Sequence, residues 1–159
     1  QENYPDSIID IAKNNNLIAV PHTPKDYKYF SDYIIDSQQL MESLNFDYTS
    51  ELVKIYLNFD STVALRGHGQ LISIGLNIPG IYLSTQDKVK YFSLLNGFED
   101  YNVDVEEDNW LQKLELLHFK LLTDKTYLSN WYKLRSEKIE IWHKQLSDFV
   151  KDCVGELNK

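Results

Sequence analysis

At 159 residues the chain fits one domain with a core of ordinary size, and its 43% hydrophobic content is that of a globular protein. A formal net charge of −8 and a pI near 4.9 argue against general nucleic-acid binding, which needs a basic face. The single cysteine, Cys153, excludes an internal disulfide and any multi-cysteine zinc site. With one cysteine, a reducing cytoplasm is the expected setting; no apolar run is long enough to span a bilayer, and no charged-then-apolar leader opens the chain. The first residue is Gln rather than Met, and removal of upstream sequence or of a tag is expected.

In chain order, Tyr4-Pro5-Asp6-Ser7 predicts a helix start with Ile8, Ile9, Ile11 and Ala12 on its apolar face, closed by Asn14-Asn15-Asn16. Leu17–Val20 then reads as a short buried strand, broken by Pro21-His22-Thr23-Pro24. A helix is expected from Lys25 through Tyr27, Phe30, Tyr33 and Ile34. Residues 36–47 keep some helical period but are interrupted at Asn45-Phe46-Asp47. Thr49 or Ser50 caps the next helix, with Leu52, Val53, Ile55, Tyr56 and Phe59 on its apolar side, and Asp60 ends it.

The stretch Ser61–Lys88 organises the rest. Thr62–Leu65 is apolar or β-branched without alternation, which a strand covered on both faces demands. A turn with Arg66-Gly67-His68-Gly69 leads into an apolar helix over Gln70–Asn77; Pro79-Gly80 returns the chain to a strand at Ile81–Leu83, and Ser84-Thr85-Gln86-Asp87-Lys88 opens another helix. Parallel strands joined by a crossover helix put both strand ends on one edge. Arg66, His68, Ser84 and Lys88 are therefore expected where open α/β sheets bind ligands. Only two of the 16 basic residues, Arg66 and Arg135, are arginines, and arginine alone offers a rigid bidentate fork for carboxylate or phosphate.

Beyond Lys88 the helix continues through Val89, Tyr91, Phe92, Leu94 and Leu95 and stops at Asn96-Gly97. Tyr101–Val105 reads as an edge strand, and Glu106-Glu107-Asp108 sets negative charge at the start of a helix carrying Trp110, Leu111, Leu114, Leu117, Leu121 and Leu122. A break near Thr123-Asp124 precedes a long helical pattern over Tyr127–Glu156, longer than a minimal α/β layer needs and suited to bracing a neighbouring domain or a second subunit. The expected class is α/β: a short parallel sheet with helices on both faces over 1–105, and a helical tail over 106–159 packing on it.

The succession Asp60, Val63–Leu65, Arg66-Gly67-His68, Gly69–Leu76, Pro79, Ile81–Leu83, Ser84 and Lys88 resembles the polysaccharide pyruvyl transferase family. Members show a helix ending in aspartate, a short buried strand, Arg-x-His, a small-residue-rich helix, Pro, another strand and a Ser-containing loop with a basic residue. The resemblance extends more loosely from about Ile8 to Val105 and covers about the carboxyl-terminal half of a member. It implies a Rossmann-like lobe of a two-lobed GT-B-type fold, with phosphoenolpyruvate and an acceptor sugar bound between this lobe and an amino-terminal one, and no activity in this lobe alone. The implied reaction adds two sugar hydroxyls across the enol carbon of phosphoenolpyruvate, releasing phosphate and leaving a pyruvate ketal on a cell-surface polysaccharide precursor. Phosphoenolpyruvate is then a co-substrate, no further cofactor or metal is implied, and the setting is the cytoplasm, peripheral at the inner membrane face.

Such chemistry needs an anion clamp and a proton donor for the methylene carbon. Arg66 is the candidate clamp and His68 the candidate general acid, since imidazole titrates near neutral pH. Gly67 and Gly69 would let the backbone bend so that helix-start amides meet the anion, Ser84 and Lys88 would add a hydroxyl and a positive charge, and His22 with Asp26 would complete the pocket from the first strand end. Plainer roles stand beside these: a salt bridge from Arg66 to Asp60 or Glu51, a backbone-bonding His68, a helix-capping Ser84 or Thr85, a solvated Lys88. His118 is expected to be partly buried and hydrogen-bonded, and His143 at the surface. A nucleotide-sugar lobe of a GT-B glycosyltransferase is the alternative enzyme reading, with Arg66 and Lys88 facing a diphosphate. A non-catalytic assembly module is the third, in which an exposed apolar stripe on the tail helix joins a second copy or another partner.

Overall fold

The computed structural model describes residues 7–14, 17–20, 26, 28, 30 and 48–157. The chain divides into two compact units, 1–54 and 55–159. In the first, helix α1 (Ser7–Asn14) buries Ile8, Ile11 and Ala12, the i, i+3, i+4 set of one helical face. It carries Asp10 early and Lys13 late, in the sense that suits the helix dipole. The Leu17 N–H closes the helix end on the Ala12 carbonyl at 2.8 Å. Residues 17–20, expected as a strand, have no ladder partner among the described residues, and Ile18 is 47% exposed. Four apolar residues carry the hydrophobicity of a buried strand, but the run does not contain the pairing that makes one. Helix α2 (Tyr48–Tyr56) buries Leu52 and Tyr56, one turn apart, as its periodicity predicts.

The second unit holds the sheet. Strands β1 (Thr62–Ala64), β2 (Gly80–Ser84) and β3 (Asn102–Asp104) are all parallel, in the order β1-β2-β3. Thr62 pairs with Gly80, and Tyr82 with Asn102. Helix α3 (Gly67–Gly75) connects β1 to β2, and helix α4 (Asp87–Leu95) followed by a 3-10 turn (Glu99–Tyr101) connects β2 to β3. Every residue of β2 is buried. Tyr82 lies with its ring edge-on to Phe98, centroids 5.7 Å apart, while Ile81 and Leu83, pointing the other way, are no more than 1% exposed. Helix α5 (Trp110–Thr123), which contacts β2 and β3 and buries Leu114 and Leu121, is the described helix available to cover them. A strand without polar alternation thus has what it requires on both sides.

Helix α6 (Lys125–Leu157) begins where the sequence breaks: the Asp124 carboxylate accepts the Thr126 and Tyr127 N–H groups, an N-cap arrangement. Its first half is bound to the lobe by aromatic packing. Trp131 is wholly buried against Phe98, and the Tyr101 and Tyr127 rings lie 4.7 Å apart. Arg135 then donates to the Ile74 and Gly75 carbonyls at the carboxyl end of α3, at 2.9 and 3.1 Å, where a cation also meets the negative end of the helix dipole. So one of the two arginines that stand out in the sequence is a helix cap. No helix among the described residues is long and apolar enough to cross a membrane.

Candidate functional site

Because the three strands are parallel, their carboxyl ends share one edge, and both α3 and α4 start there. Arg66 is the N-cap residue of α3, with extended backbone (φ −126, ψ 148), and its carbonyl accepts the first intrahelical bond from the Gln70 N–H at 3.1 Å. The helix therefore starts three residues earlier than its apolar pattern, since Gly67, His68 and Gly69 carry no apolar signal yet occupy its first turn. Arg66 is half-buried; His68, two residues on, is exposed. Lys88 is exposed in the first turn of α4.

The two helix starts differ in charge. Neither has a side-chain cap, but α4 already carries Asp87 in its first turn, whereas the first turn of α3 has no acidic residue. The first amides of a helix have no acceptor inside it, so α3 is the better seat for an anion, with the Arg66 charge beside it. The two glycines differ as well. A Cβ at Gly69 would stand 3.2 Å from the Ala64 Cβ and 3.6 Å from the Tyr56 hydroxyl, so this glycine lets α3 lie close on β1. At Gly67 a Cβ would meet nothing within 4 Å. Neither is among the residues with positive φ, so the bend expected of them is not what they supply.

Ser84 ends β2 and is 3% exposed; its hydroxyl donates to Asn102 Oδ1 at 2.8 Å. That bond joins β2 to β3 below the rim, and it commits the one proton Ser84 has. The hydroxyl that spans the loops is that of Thr85, which donates to the Leu65 carbonyl at 3.3 Å and so fastens the β2–α4 loop to the end of β1. His22 lies outside the described residues. Asp26 is buried, in the first unit.

The sequence reading missed an ion pair on this same edge. Lys90 donates to Asp104, the last residue of β3, whose other oxygen accepts the Glu106 N–H at 3.0 Å. Burial pushes the Asp104 carboxyl up, but the Lys90 hydrogen bond, the Glu106 N–H and the Lys90 charge outweigh it and hold it below its ordinary value. The Asp104 hydrogen bond and charge in turn raise Lys90. The signal was available: Asn102 and Asp104 are the polar members of a strand next to the ligand edge. With Glu106, Glu107 and Asp108 in the turn that follows, the edge is acidic beyond β3, Asp87 offsets Lys88 at the start of α4, and Arg66 stands at the acid-free start of α3. An anionic ligand is therefore directed to the Arg66 side. No family model, no curated protein and no solved structure matches this chain.

Proposed function

We propose that the chain is the donor-binding lobe of a polysaccharide pyruvyl transferase of the two-lobed GT-B type, taking phosphoenolpyruvate as the donor of a pyruvate ketal to a sugar hydroxyl pair. The reading rests on the residue order from Asp60 to Lys88. The observation that carries its chemistry is the start of α3: Arg66 at the N-cap, an exposed His68 in a first turn without acidic residues, and Lys88 on the neighbouring helix start. In this reading the Arg66 guanidinium and the α3 amides hold the dianion, and Lys88 adds charge from α4. His68 delivers a proton to the methylene carbon as the sugar oxygen attacks the enol carbon. Ser84 acts through Asn102, holding the rim of β2 and β3 in place, rather than as a ligand.

Isothermal titration with phosphoenolpyruvate tests the donor site on this chain alone. Saturable binding is expected, with Arg66→Ala weakening it at least tenfold and His68→Ala less, because His68 is assigned to proton delivery rather than to the clamp. Pyruvyl transfer by the protein together with an amino-terminal lobe should fall by about 10²–10⁴-fold in His68→Ala, the range for loss of a general acid. Binding of a nucleotide sugar and not of phosphoenolpyruvate reverses the assignment in favour of a glycosyltransferase lobe.

A further inference from the structure

Helix α6 outruns the unit it packs on. Its Leu134 and Lys138 lie beside Gly97, and its Trp142 beside Phe92, so it runs antiparallel to α4 and heads for the edge where α4 begins. Up to Trp142 one face is seated: Trp131 is buried, and Leu134, Arg135, Lys138, Ile139 and Trp142 are half-buried. From His143 to Val154 every residue is exposed. The apolar stripe does not stop at that boundary. It continues at helical spacing as Leu146, Phe149, Val150 and Cys153, with Leu146 61%, Phe149 65% and Val150 50% exposed. At 1.5 Å per residue these 12 residues run about 18 Å along the helix axis. An apolar stripe that leaves its own core at full strength calls for a cover.

We propose that this overhang pairs, antiparallel, with the same segment of a second copy of the chain. Leu146 then packs against Cys153 of the partner subunit, and Phe149 against Val150 of the partner subunit. The stripe is its own complement: Leu146 and Phe149 are three residues apart, as are Val150 and Cys153, so reversing the helix about the Phe149–Val150 bond superposes the stripe on itself. Charge agrees. At 100° per residue Lys144, Asp148 and Lys151 fall on the side away from the stripe, where Lys151 pairs with Asp148 at 3.6 Å. Asp152 flanks the stripe on the same side as Gln145, so reversal places it beside Gln145 of the partner subunit with no like charge opposite. A parallel, in-register pair would instead set each Asp152 level with its own copy. The overhang's two lysines and two aspartates also balance, which gives no attraction to an anionic lipid surface or to nucleic acid. The contact is shorter than a standard interface, and micromolar rather than nanomolar association follows.

Sedimentation velocity of the full chain over a rising concentration series is expected to show a monomer–dimer equilibrium. Leu146→Asp and Phe149→Asp should each weaken it at least tenfold. Both side chains are exposed, so the far-UV circular dichroism should not change. Leu146→Cys supplies the positive test. Within one helix, positions 146 and 153 are about 10 Å apart along the axis, too far for a disulfide, so oxidation should give a covalent dimer whose bond joins position 146 of one chain to position 153 of the other. A chain that stays monomeric throughout, a dimer indifferent to both aspartate variants, or ready 153-to-153 cross-linking in the unmodified chain overturns the proposal.

Discussion

Glycines at one site can differ in kind, and a single substitution at each separates them. Gly69 sits where α3 touches β1, with the Ala64 Cβ 3.2 Å from where its own Cβ would be. Ala64 is in a strand and cannot yield as the end of a flexible side chain would. Gly69→Ala is therefore expected to lose about 1–2 kcal/mol, the overpacking cost outweighing the gain in helix propensity. Gly67→Ala meets nothing within 4 Å and occupies the first helical position, so it should be neutral or stabilising by up to about 1 kcal/mol. Urea denaturation of the two variants checks the difference, and equal losses would refute it. Nothing local distinguishes the two positions in the sequence, since the residue that separates them, Ala64, lies across the helix–strand contact.

At the scale of elements, the three strands, the helices between them and the break near Thr123-Asp124 could be read in advance because each is encoded by neighbours in the chain: apolar or weakly alternating short runs, a Pro-Gly turn, an interruption of the helical period. Two features could not. The start of α3 is made by residues with no apolar period, and the seating of α6 depends on carbonyls some 60 residues away that Arg135 caps. Of the candidate site, the Arg66 and His68 positions were legible from the strand–turn–helix order, whereas the inward use of Ser84 needed Asn102, supplied by a strand 18 residues on. The expectation for His118 holds: it is half-buried on α5, with Nε2 3.4 Å from the Ser61 hydroxyl ahead of β1, and burial lowers its pKa. A histidine whose folded pKa is depressed binds fewer protons folded than unfolded. Its neutral form thus carries no penalty above its unfolded value near 6.5, and stability is lost as pH falls through that value. Chain stability should accordingly decline from about pH 7.5 to about pH 5.5, and His118→Gln should flatten that decline. Asp104, held below its ordinary value by Lys90, acts lower: its contribution is present above about pH 4 and is lost as pH falls further. Chemical denaturation at a series of pH values separates the two, and an unaltered slope above pH 5.5 in His118→Gln would show that His118 does not carry the effect.

For the molecule as a whole, α6 performs two tasks divided at Trp142. Ahead of that point it completes the core: Trp131 is fully buried against Phe98, which itself meets Tyr82 of the central strand and Tyr101 of the turn before β3. This chain of rings carries the packing from the sheet out to the helix, and its outermost member cannot be removed without leaving a cavity beside β2. Trp131→Ala is expected to cost about 3–5 kcal/mol, as large-to-small changes at sealed core positions do. Past Trp142 every side chain from His143 to Val154 is exposed. A chain ending at Lys144 should therefore unfold within about 0.5 kcal/mol of the full chain when both are monomeric, the range of surface changes remote from packing. The two variants divide the helix by free energy where the burial pattern divides it by position. Should truncation at Lys144 destabilise the dilute monomer as severely as Trp131→Ala, the overhang would be bound to its own lobe and unavailable to a second copy. If instead the truncated chain keeps its denaturation midpoint but loses concentration-dependent association, the first half of α6 belongs to the fold and the second to the assembly.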